Sequence, residues 1–411
     1  MLVMEYCIHK ADRSLRGEIK LPASKSISNR ILIIHALSPR PFRIDNLSDS
    51  DDTKVLKRAL SENEKVIDIG HAGTSMRFLT AYYSIGDSEK VLTGSSRMKN
   101  RPVGELVNAL RAMGADIRYI KNEGYPPLLI RGKKISGGKL KIDSSISSQF
   151  ISALLMIAPQ LDKGLQLELT GRMVSPAYIY LTLKLMESFG ICYDWTGNKI
   201  TIGRQDYFPA DIFIEADWTA ASYWYEMAAL AEDPDIIIRG LFSGSLQGDF
   251  ILTEIFRDFG VKTEFLDDGI RLTCEAYSPE KFDYNFTNNP DLVQTFAALC
   301  GLRHIPFHFT GTETLRLKET DRIVALAEEL ARFGIKIYTA EDGSSISFMG
   351  ESSFIQGKIR VKTYQDHRMA MAFAPAAILG YKPVIDDPDV VSKSYPGFWE
   401  DLKKVGFQIT N

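Results

Sequence analysis

The sequence predicts a mixed α/β fold with two similar domains, each assembled from copies of one small unit. The chain has 411 residues, of which 45% are hydrophobic and 10% aromatic, enough apolar surface for the cores of two or more domains. A recurring pattern of helix, glycine and strand indicates the repeated unit. Polar clusters at the starts of several helices indicate where ligands bind.

The first clear copy of the unit begins with an amphipathic helix. Its apolar face is formed at three- and four-residue spacing by Val103, Leu106, Val107, Leu110 and Met113. Gly114 follows as a left-handed helix stop, and the strand-like segment ADIRYI comes next. This order predicts a helix packed on a sheet.

The same order returns four more times along the chain. The later stop glycines are Gly190, Gly260, Gly334 and Gly406. The interval of roughly 70–76 residues is longer than solenoid repeats, so each copy is predicted to be an α/β subdomain with its own sheet. A sixth copy is expected at residues 48–66, which are helical in character but lack the glycine and most of the strand. Six copies divide into two domains of three.

The composition excludes several classes of partner. With 49 Lys and Arg against 52 Asp and Glu, the net charge of -3 gives no general attraction to nucleic acid or to an acidic membrane. The amino terminus lacks a signal-peptide pattern, and the longest apolar run, ISALLMIAP, is too short to span a bilayer. Four widely spaced cysteines in apolar settings are expected to be core thiols of a cytoplasmic protein: Cys7, Cys192, Cys274 and Cys300.

Basic and hydroxyl residues cluster at predicted helix starts in the first half of the chain. LPASKSISNR places Lys25, Ser26 and Arg30 before an apolar helix, where free backbone amides and two cations favour an anion. The alternative is a serine cap with solvated charges. DIGHAGTSMRFL and SSRMKNRP repeat the pattern with Gly73 and Arg101, for which a glycine turn and a solvated charge run are the alternatives.

Further clusters follow at later helix starts. SSISSQF and VSPAYI carry Ser147, Ser148, Gln149, Ser175 and Tyr178, which taken alone could be helix caps. LRLKETDRI, YQDHRMAMAF and VVSKSYP carry Lys318, Glu319, Asp321, Arg322, Asp366, His367, Arg368 and Lys393. Surface ion pairing and a structural histidine are the alternatives there. The repeat can bring these clusters to one face, which favours an anion-binding site.

These motifs, in this order, resemble the 5-enolpyruvylshikimate-3-phosphate (EPSP) synthase family of enolpyruvyl transferases. The resemblance runs from Leu21 to Lys393 and includes LTGSSRMKNRPVGELVNALRAMGA, SLQGD and LRLKETDR. It implies two domains, each of three βαβαββ units about a pseudo-threefold axis, with the active site in the interdomain cleft. Residues 21–213 would form the first domain, on the shikimate phosphate side. Residues 1–20 and 214–411 would form the second, with the catalytic carboxylates and the donor-binding arginines.

The resemblance also implies an activity, the transfer of the enolpyruvyl group of phosphoenolpyruvate to the 5-hydroxyl of shikimate 3-phosphate. Asp291 matches the base at the 5-hydroxyl, and Glu319 matches the acid and base at the methylene carbon. Lys25, Lys393 and His367 would stabilise charge and assist proton transfer. No metal or cofactor is needed. The family resemblance further implies glyphosate as an inhibitor, and we expect a monomer.

The binding residues implied by the resemblance form two sets. Shikimate 3-phosphate would contact Lys25, Ser26, Arg30, Ser147, Ser148, Gln149, Ser175, Tyr178, Asp291, Thr314 and Lys318. Phosphoenolpyruvate would contact Lys25, Gly73, Arg101, Gln149, Arg322, Arg368 and Lys393. The two substrates carry about six negative charges, so a local concentration of cations is required despite the acidic chain.

The chain departs from the family pattern at His71, Phe78 and Thr314. Its segment between Asn46 and Gly70 is short, which leaves open whether the third unit of the first domain is complete. Two alternatives remain open. A UDP-N-acetylglucosamine enolpyruvyl transferase shares the fold and donor but needs a reactive cysteine on a glycine-rich loop, which is absent here. A catalytically silent phosphometabolite-binding module would not need the carboxylates.

Overall fold

The computed structural model describes residues 4–275, 277–353 and 355–411. The chain forms two compact domains: a first domain, Ser24–Ile214, and a second domain, which combines the residues up to Ala23 with Glu215–Asn411. The boundaries lie three residues and one residue beyond those predicted. The reason is local, because Ala23 bridges Ala216 and the amide of Asp217 donates to the carbonyl of Pro22, which holds residues 21–23 in the second domain.

The chain begins with two strands of the second domain, β1 (Glu5–Lys10) and β2 (Ser14–Lys20). The helices of the first domain are α1 (Lys25–Leu37), α2 (Asp51–Ser61), α3 (Gly73–Ser84), α4 (Gly104–Ala112), α5 (Ser148–Ile157) and α6 (Pro176–Ser188). Its strands are β3 (Ile44–Asp45), β4 (Val66–Asp68), β5 (Glu89–Thr93), β6 (Asp116–Tyr119), β7 (Leu128–Arg131), β8 (Gly138–Asp143), β9 (Leu165–Thr170), β10 (Tyr193–Thr196), β11 (Lys199–Ile202) and β12 (Ile212–Phe213).

The second domain continues after the first. Its helices are α7 (Trp218–Leu230), α8 (Leu252–Ile255), α9 (Val293–Leu302), α10 (Arg322–Arg332), α11 (His367–Phe373) and α12 (Phe398–Lys404). Its strands are β13 (Asp233–Arg239), β14 (Val261–Leu266), β15 (Gly269–Cys274), β16 (Phe282–Asn285), β17 (Phe307–Thr310), β18 (Ile335–Thr339), β19 (Ser345–Ser352), β20 (Lys358–Val361), β21 (Lys382–Asp386) and β22 (Phe407–Thr410).

The repeated unit is a four-stranded sheet of constant topology. The sheets β4-β5-β7-β6 and β8-β9-β11-β10 lie in the first domain, and β2-β13-β15-β14, β16-β17-β19-β18 and β20-β21-β1-β22 lie in the second. In each, the first two strands are parallel and the remaining pairings are antiparallel. A helix lies in the connection between each pair of parallel strands, and the connection from β2 to β13 also includes the whole first domain. The unit is therefore βαβαββ, which confirms the predicted repeat.

The two terminal strands complete different units of the second domain. Strand β1 lies between β21 and β22, and β2 pairs in parallel with β13. The third unit of the first domain, whose completeness the sequence left open, is reduced: beside α1 and α2 it has only the pairing of β3 with β12, two residues long, within the described chain. Between residues 46 and 70 the chain forms α2 and then β4, and β4 belongs to the sheet of a different unit.

All five stop glycines have the left-handed backbone that the repeat predicts. Their φ angles are 104° at Gly114, 81° at Gly190, 83° at Gly260, 76° at Gly334 and 91° at Gly406. At Gly260 and Gly334 a Cβ atom would also lie 2.2 Å and 2.1 Å from a backbone carbonyl oxygen. Glycine is therefore required at these two positions both for its φ and for its lack of a side chain.

The cysteine prediction is correct only in part. Cys300 is buried in α9, Cys7 and Cys274 are half-buried in strands, and Cys192 is exposed; all four are free thiols. Cys192 follows Ile191, which is 1% exposed and takes the inward position. Cys192 itself lies between α6 and β10, outside any regular element, and its thiol is exposed. In the described part of the chain, no helix is long and apolar enough to cross a membrane.

Helix α7 carries a carboxyl group in the core of the second domain. Glu226 is 0% exposed, and neither side-chain oxygen has a hydrogen-bond partner among the described residues. Burial raises the pKa of Glu226 well above its ordinary value of 4.5, so the native state keeps a proton that the unfolded chain releases. The stability contribution is fully present below the unfolded pKa and is lost as pH rises toward the folded pKa.

We therefore expect Glu226→Gln to stabilise the protein increasingly as pH rises. The free energy of unfolding of the variant, minus that of the parent, should grow as pH rises above the ordinary glutamate pKa of 4.5, by at most about 1.4 kcal/mol per pH unit. Urea titrations across this range measure it. Glu187→Gln, at an exposed position, is the control, and its free energy of unfolding relative to the parent should not change with pH. A pH-independent difference for Glu226→Gln would contradict an un-ionised Glu226.

Candidate active site

Lys25 and Ser26 occupy the first turn of α1. Ser24 caps this helix, since its Oγ accepts from the backbone amide of Ile27 at 3.4 Å. The Lys25 Nζ lies 3.4 Å from Oδ2 of Asp52, a buried residue in the first turn of α2. The structure thus confirms cations and hydroxyls at a helix start, and it adds a carboxylate that holds one of the cations.

Arg30 lies inside the first domain and is 2% exposed, so the alternative of a solvated charge is wrong. Its guanidinium donates to Thr182 Oγ1 at 2.7 Å, the Ser26 carbonyl at 2.8 Å, and Ser152 Oγ and the Tyr178 carbonyl at 3.3 Å each. Its Cζ also lies 5.5 Å from the Phe78 ring centroid and 5.7 Å from the Tyr178 ring centroid. Burial lowers the pKa of Arg30 to about 10, which leaves it charged at neutral pH.

Gly73, Arg101 and Gln149 come together at the starts of α3 and α5. A Cβ built on Gly73 would lie 2.7 Å from Arg101 Nη1, so the bare glycine lets the guanidinium rest against the helix. Gln149 donates from Nε2 to Thr74 Oγ1 at 3.0 Å. Arg101 is 7% exposed, so it is not part of a solvated charge run.

The remaining predicted residues of the first domain also lie at helix starts. Ser147 precedes α5, and its Oγ accepts from the Gln149 amide at 3.3 Å. Ser148 and Ser175 are each 6% exposed. Ser175 has a φ of 51°, which turns the chain into α6. Ser147 therefore caps α5 with its side chain, whereas Ser175 begins α6 without a side-chain cap.

Arg322, the first residue of α10, is the centre of the polar cluster in the second domain. It is 1% exposed. Its guanidinium donates to Asp366 Oδ2 at 2.7 Å, and to Asp291 Oδ1 and Glu319 Oε2 at 2.9 Å each. Burial alone would lower the pKa of Arg322, but the surrounding carboxylates raise it above its ordinary value. Surface i,i+4 pairing is therefore the wrong interpretation of this motif.

Asp291 is the carboxylate on which the cations converge. Arg368 Nη2 lies 3.0 Å from its Oδ2, and Lys318 Nζ lies 3.5 Å from its Oδ1. Burial raises the pKa of Asp291, but the charges of Arg368, Lys318 and Arg322 outweigh it and hold the pKa well below 3.8. Burial also lowers the pKa of Lys318.

Glu319 bridges two cations, since its Oε1 accepts from Lys393 Nζ at 2.8 Å while Oε2 accepts from Arg322. His367 begins α11, is 1% exposed, and has Nδ1 3.6 Å from Asp366 Oδ1. Thr314 lies in the short helix Glu313–Leu317, and its buried hydroxyl has no hydrogen-bond partner in the described chain. Of the predicted residues of this domain, Thr314 is therefore the one with no demonstrated link to the cluster.

The structure adds residues that the binding sets did not include. Asp366, fully buried, caps α11 by accepting from the Arg368 amide at 3.0 Å while it holds Arg322. Tyr223 Oη accepts from Arg368 Nη1 at 3.4 Å. Asp249, from the SLQGD motif, accepts from Asn289 Nδ2 at 3.0 Å, and burial raises its pKa to about 6. Asp366 lies in the motif YQDHRMAMAF and Asp249 in SLQGD, whereas no sequence signal identifies Tyr223.

The arrangement suits anionic ligands and proton transfer. In the second domain, buried cations are held by carboxylates that bound phosphate or carboxylate groups could replace. Carboxyl groups amid cations are also suited to acid–base chemistry. Within residues 4–275, 277–353 and 355–411, no group of three or more His, Cys, Asp or Glu side chains is arranged to hold a metal ion.

Comparisons with known proteins identify the family of this chain. A sequence model of the family described as EPSP synthase (3-phosphoshikimate 1-carboxyvinyltransferase) matches residues 9–62 and 56–402. The 3-phosphoshikimate 1-carboxyvinyltransferase of Bacteroides fragilis is 50% identical over 407 residues, 99% of each chain, and that of Haemophilus influenzae is 36% identical over 424 residues, 95% of this chain and 97% of that one.

Solved structures show the same fold. An EPSP synthase from Acinetobacter baumannii superposes with a TM-score of 0.78 at 21% identity and covers 99% of this chain and 100% of that one. The enolpyruvyl transferase NikO from Streptomyces tendae gives 0.72 at 16% identity, over 99% and 98%. The two-domain enolpyruvyl transferase fold is thus confirmed. On its sequence match over nearly the whole length, this chain belongs to the EPSP synthase (3-phosphoshikimate 1-carboxyvinyltransferase) family.

Proposed function

We propose that this protein transfers the enolpyruvyl group of phosphoenolpyruvate to the 5-hydroxyl of shikimate 3-phosphate, releasing phosphate, a step that leads toward chorismate and the aromatic amino acids. The observation that carries the proposal is the cluster around Arg322, in which Asp291 and Glu319 are each held by buried cations. Family membership supports the same activity. A protein that only binds anions gains nothing from two carboxylates placed among its cations.

The reaction is an addition followed by an elimination. The 5-hydroxyl oxygen attacks C2 of phosphoenolpyruvate while a proton is added at C3, which gives a tetrahedral phospho-ketal. The C2–O bond to phosphate then breaks and a proton leaves C3, so the double bond is restored. In this scheme Asp291 accepts the 5-hydroxyl proton, and Glu319 gives and then removes the proton at C3. Lys25, Lys393 and His367 stabilise the developing charge.

Asp291 needs bound substrate to act as a base. A carboxylate whose pKa lies well below 3.8 is a weak base at neutral pH. When substrate anions pair with Arg368, Arg322 and Lys318, the attraction that these cations exert on Asp291 is divided, and its pKa rises. Because the cations pair with substrate anions instead of Asp291, Asp291 becomes a stronger base only when phosphoenolpyruvate and shikimate 3-phosphate are bound.

Residues of both domains are proposed to contact the substrates. For shikimate 3-phosphate these are Lys25, Ser26, Arg30, Ser147, Ser148, Gln149, Ser175, Tyr178, Asp291, Thr314 and Lys318. For phosphoenolpyruvate they are Lys25, Gly73, Arg101, Gln149, Arg322, Arg368 and Lys393. Placement at helix starts supports the anion contacts of the first domain, because backbone amides there point outward.

A release assay for inorganic phosphate tests the function. We expect phosphate when the protein is mixed with phosphoenolpyruvate and shikimate 3-phosphate, and none when UDP-N-acetylglucosamine replaces the acceptor. Release with the nucleotide sugar would instead favour the related transferase. The related transferase needs a reactive cysteine on a glycine-rich loop. Here Cys7, Cys274 and Cys300 lie in strands or helices, and Cys192 directly follows α6. No release with either acceptor would favour a binding module.

We further expect glyphosate to compete with phosphoenolpyruvate, and Gly73→Ala to weaken the inhibitor more than the donor. The added methyl would meet the Arg101 guanidinium and push it aside. Overpacking of this kind costs about 1–3 kcal/mol, or roughly five- to a hundredfold in glyphosate affinity. Phosphoenolpyruvate, which is shorter, should lose less.

Inhibition series at fixed shikimate 3-phosphate and varied phosphoenolpyruvate measure both constants. Gly203→Ala is the matched control, since a Cβ there meets open space and its φ is not left-handed. A parent indifferent to millimolar glyphosate, or equal sensitivity in Gly73→Ala, would show that Gly73 does not face the inhibitor. Phe78, one of the departures from the family pattern, packs its ring beneath the Arg30 guanidinium.

We propose that the protein is located in the cytoplasm. It acts there as a monomer and needs no metal or cofactor. Four free cysteines suit a reducing compartment. Nucleic acid and membrane surfaces are not expected partners, because the net charge of -3 offers them no general attraction.

A further inference from the structure

The turn before α11 is strained. Tyr364 and Gln365 have φ angles of 54° and 58°, and the amide of Asp366 donates to the carbonyl of Thr363 at 2.8 Å. Two central residues with positive φ are typical of a type I′ turn, which glycine, asparagine and aspartate favour. Tyrosine and glutamine gain nothing from this conformation, so contacts elsewhere must hold it.

Those contacts come from α10. The Tyr364 hydroxyl lies 2.6 Å from Glu328 Oε2 and 2.6 Å from Glu329 Oε1. Glu329, which is 0% exposed, also accepts from the Lys362 amide through Oε2 at 3.2 Å. One buried carboxylate therefore ties both the entry to the turn and its first central side chain to the same helix.

The turn leads directly into the polar cluster. Asp366 ends it and holds Arg322, the first residue of α10. His367 and Arg368 follow, and Arg368 pairs with Asp291. Helix α10 thus contacts this segment at two points. Its first residue, Arg322, binds Asp366, and about two turns later Glu328 and Glu329 bind the Tyr364 hydroxyl.

We propose that Tyr364 is a positioning residue, whose hydroxyl anchors the strained turn and so fixes His367 and Arg368 in the geometry that donor binding and catalysis require. Neither Tyr364 nor Gln365 needs to touch a substrate. The inference rests on the proposed function, because Arg368 is assigned to phosphoenolpyruvate and His367 to charge stabilisation. It predicts a defect in the use of phosphoenolpyruvate rather than of shikimate 3-phosphate.

Steady-state kinetics of Tyr364→Phe test the role. We expect KM for phosphoenolpyruvate to rise at least fivefold and kcat to fall at least fivefold, with KM for shikimate 3-phosphate within twofold of the parent. Adding Gln365→Asn should recover at least half of the loss on a logarithmic scale, because asparagine adopts the left-handed backbone more readily. Tyr338→Phe removes the hydroxyl of an exposed tyrosine in the same domain and should change nothing.

Parent-like kinetics for Tyr364→Phe would overturn the proposal. An equal rise in both KM values that Gln365→Asn does not reverse would also overturn it, since that pattern indicates a general loss of structure in the domain. If Tyr364→Phe does not fold, Glu328→Ala removes one acceptor at an exposed position, and an unchanged KM for phosphoenolpyruvate would overturn the proposal instead. A parent that releases no phosphate would contradict the proposed function, whereas an active parent with an unaffected variant contradicts this inference alone.

Discussion

Glu319→Gln is expected to lower kcat at least a hundredfold while the protein stays folded. Glutamine keeps an oxygen that can accept from Lys393 or Arg322, but it cannot give and take the proton at C3 of the donor. A hundredfold corresponds to about 2.7 kcal/mol of transition-state stabilisation, a normal value for one proton-transferring group. Initial rates of phosphate release measure the effect.

Glu400→Gln provides the control for this substitution, because Glu400 lies on the exposed face of α12, where it pairs with Lys403. Its kcat should match that of the parent. Thermal unfolding of both variants separates lost chemistry from lost structure. Activity of Glu319→Gln within fivefold of the parent, at unchanged Tm, would remove Glu319 from the catalytic step.

Lys25→Met is expected to cost at least a hundredfold in kcat as well. The ammonium lies at the start of α1, where it would face substrate anions, and methionine keeps the length of the side chain without the charge. The substitution also leaves the Asp52 carboxylate buried without that cation, which costs stability. Kinetics and thermal unfolding are therefore needed together.

Asp52→Asn separates these two effects. In the double variant Lys25→Met/Asp52→Asn the stability loss should be largely repaired, since no buried carboxylate remains unpaired. The loss in kcat should persist. Recovery of activity in the double variant would mean that Lys25 serves only to neutralise Asp52, which contradicts its assigned contact with substrate.

The repeat was predictable because its signals are local. A left-handed glycine after an amphipathic helix depends on a few neighbouring residues, and all five such glycines have that backbone in the structure. The domain boundary near residue 21 was three residues off, because the pairing of Ala23 with Ala216 joins segments far apart in the sequence. A pattern of neighbouring residues cannot predict a backbone pairing between two segments that lie so far apart in the sequence.

The repeated unit, the helix starts that carry cations and hydroxyls, and the family can all be recognised from residue types at short spacing. Which charges meet depends instead on how distant segments pack. Arg30 and Arg322 look like surface cations along the chain, yet packing buries both. Once a guanidinium is removed from water it must find acceptors, and most of these lie on other helices and loops of its domain. For Arg322 the acceptors include Asp291 and Asp366, which lie 31 and 44 residues away along the chain.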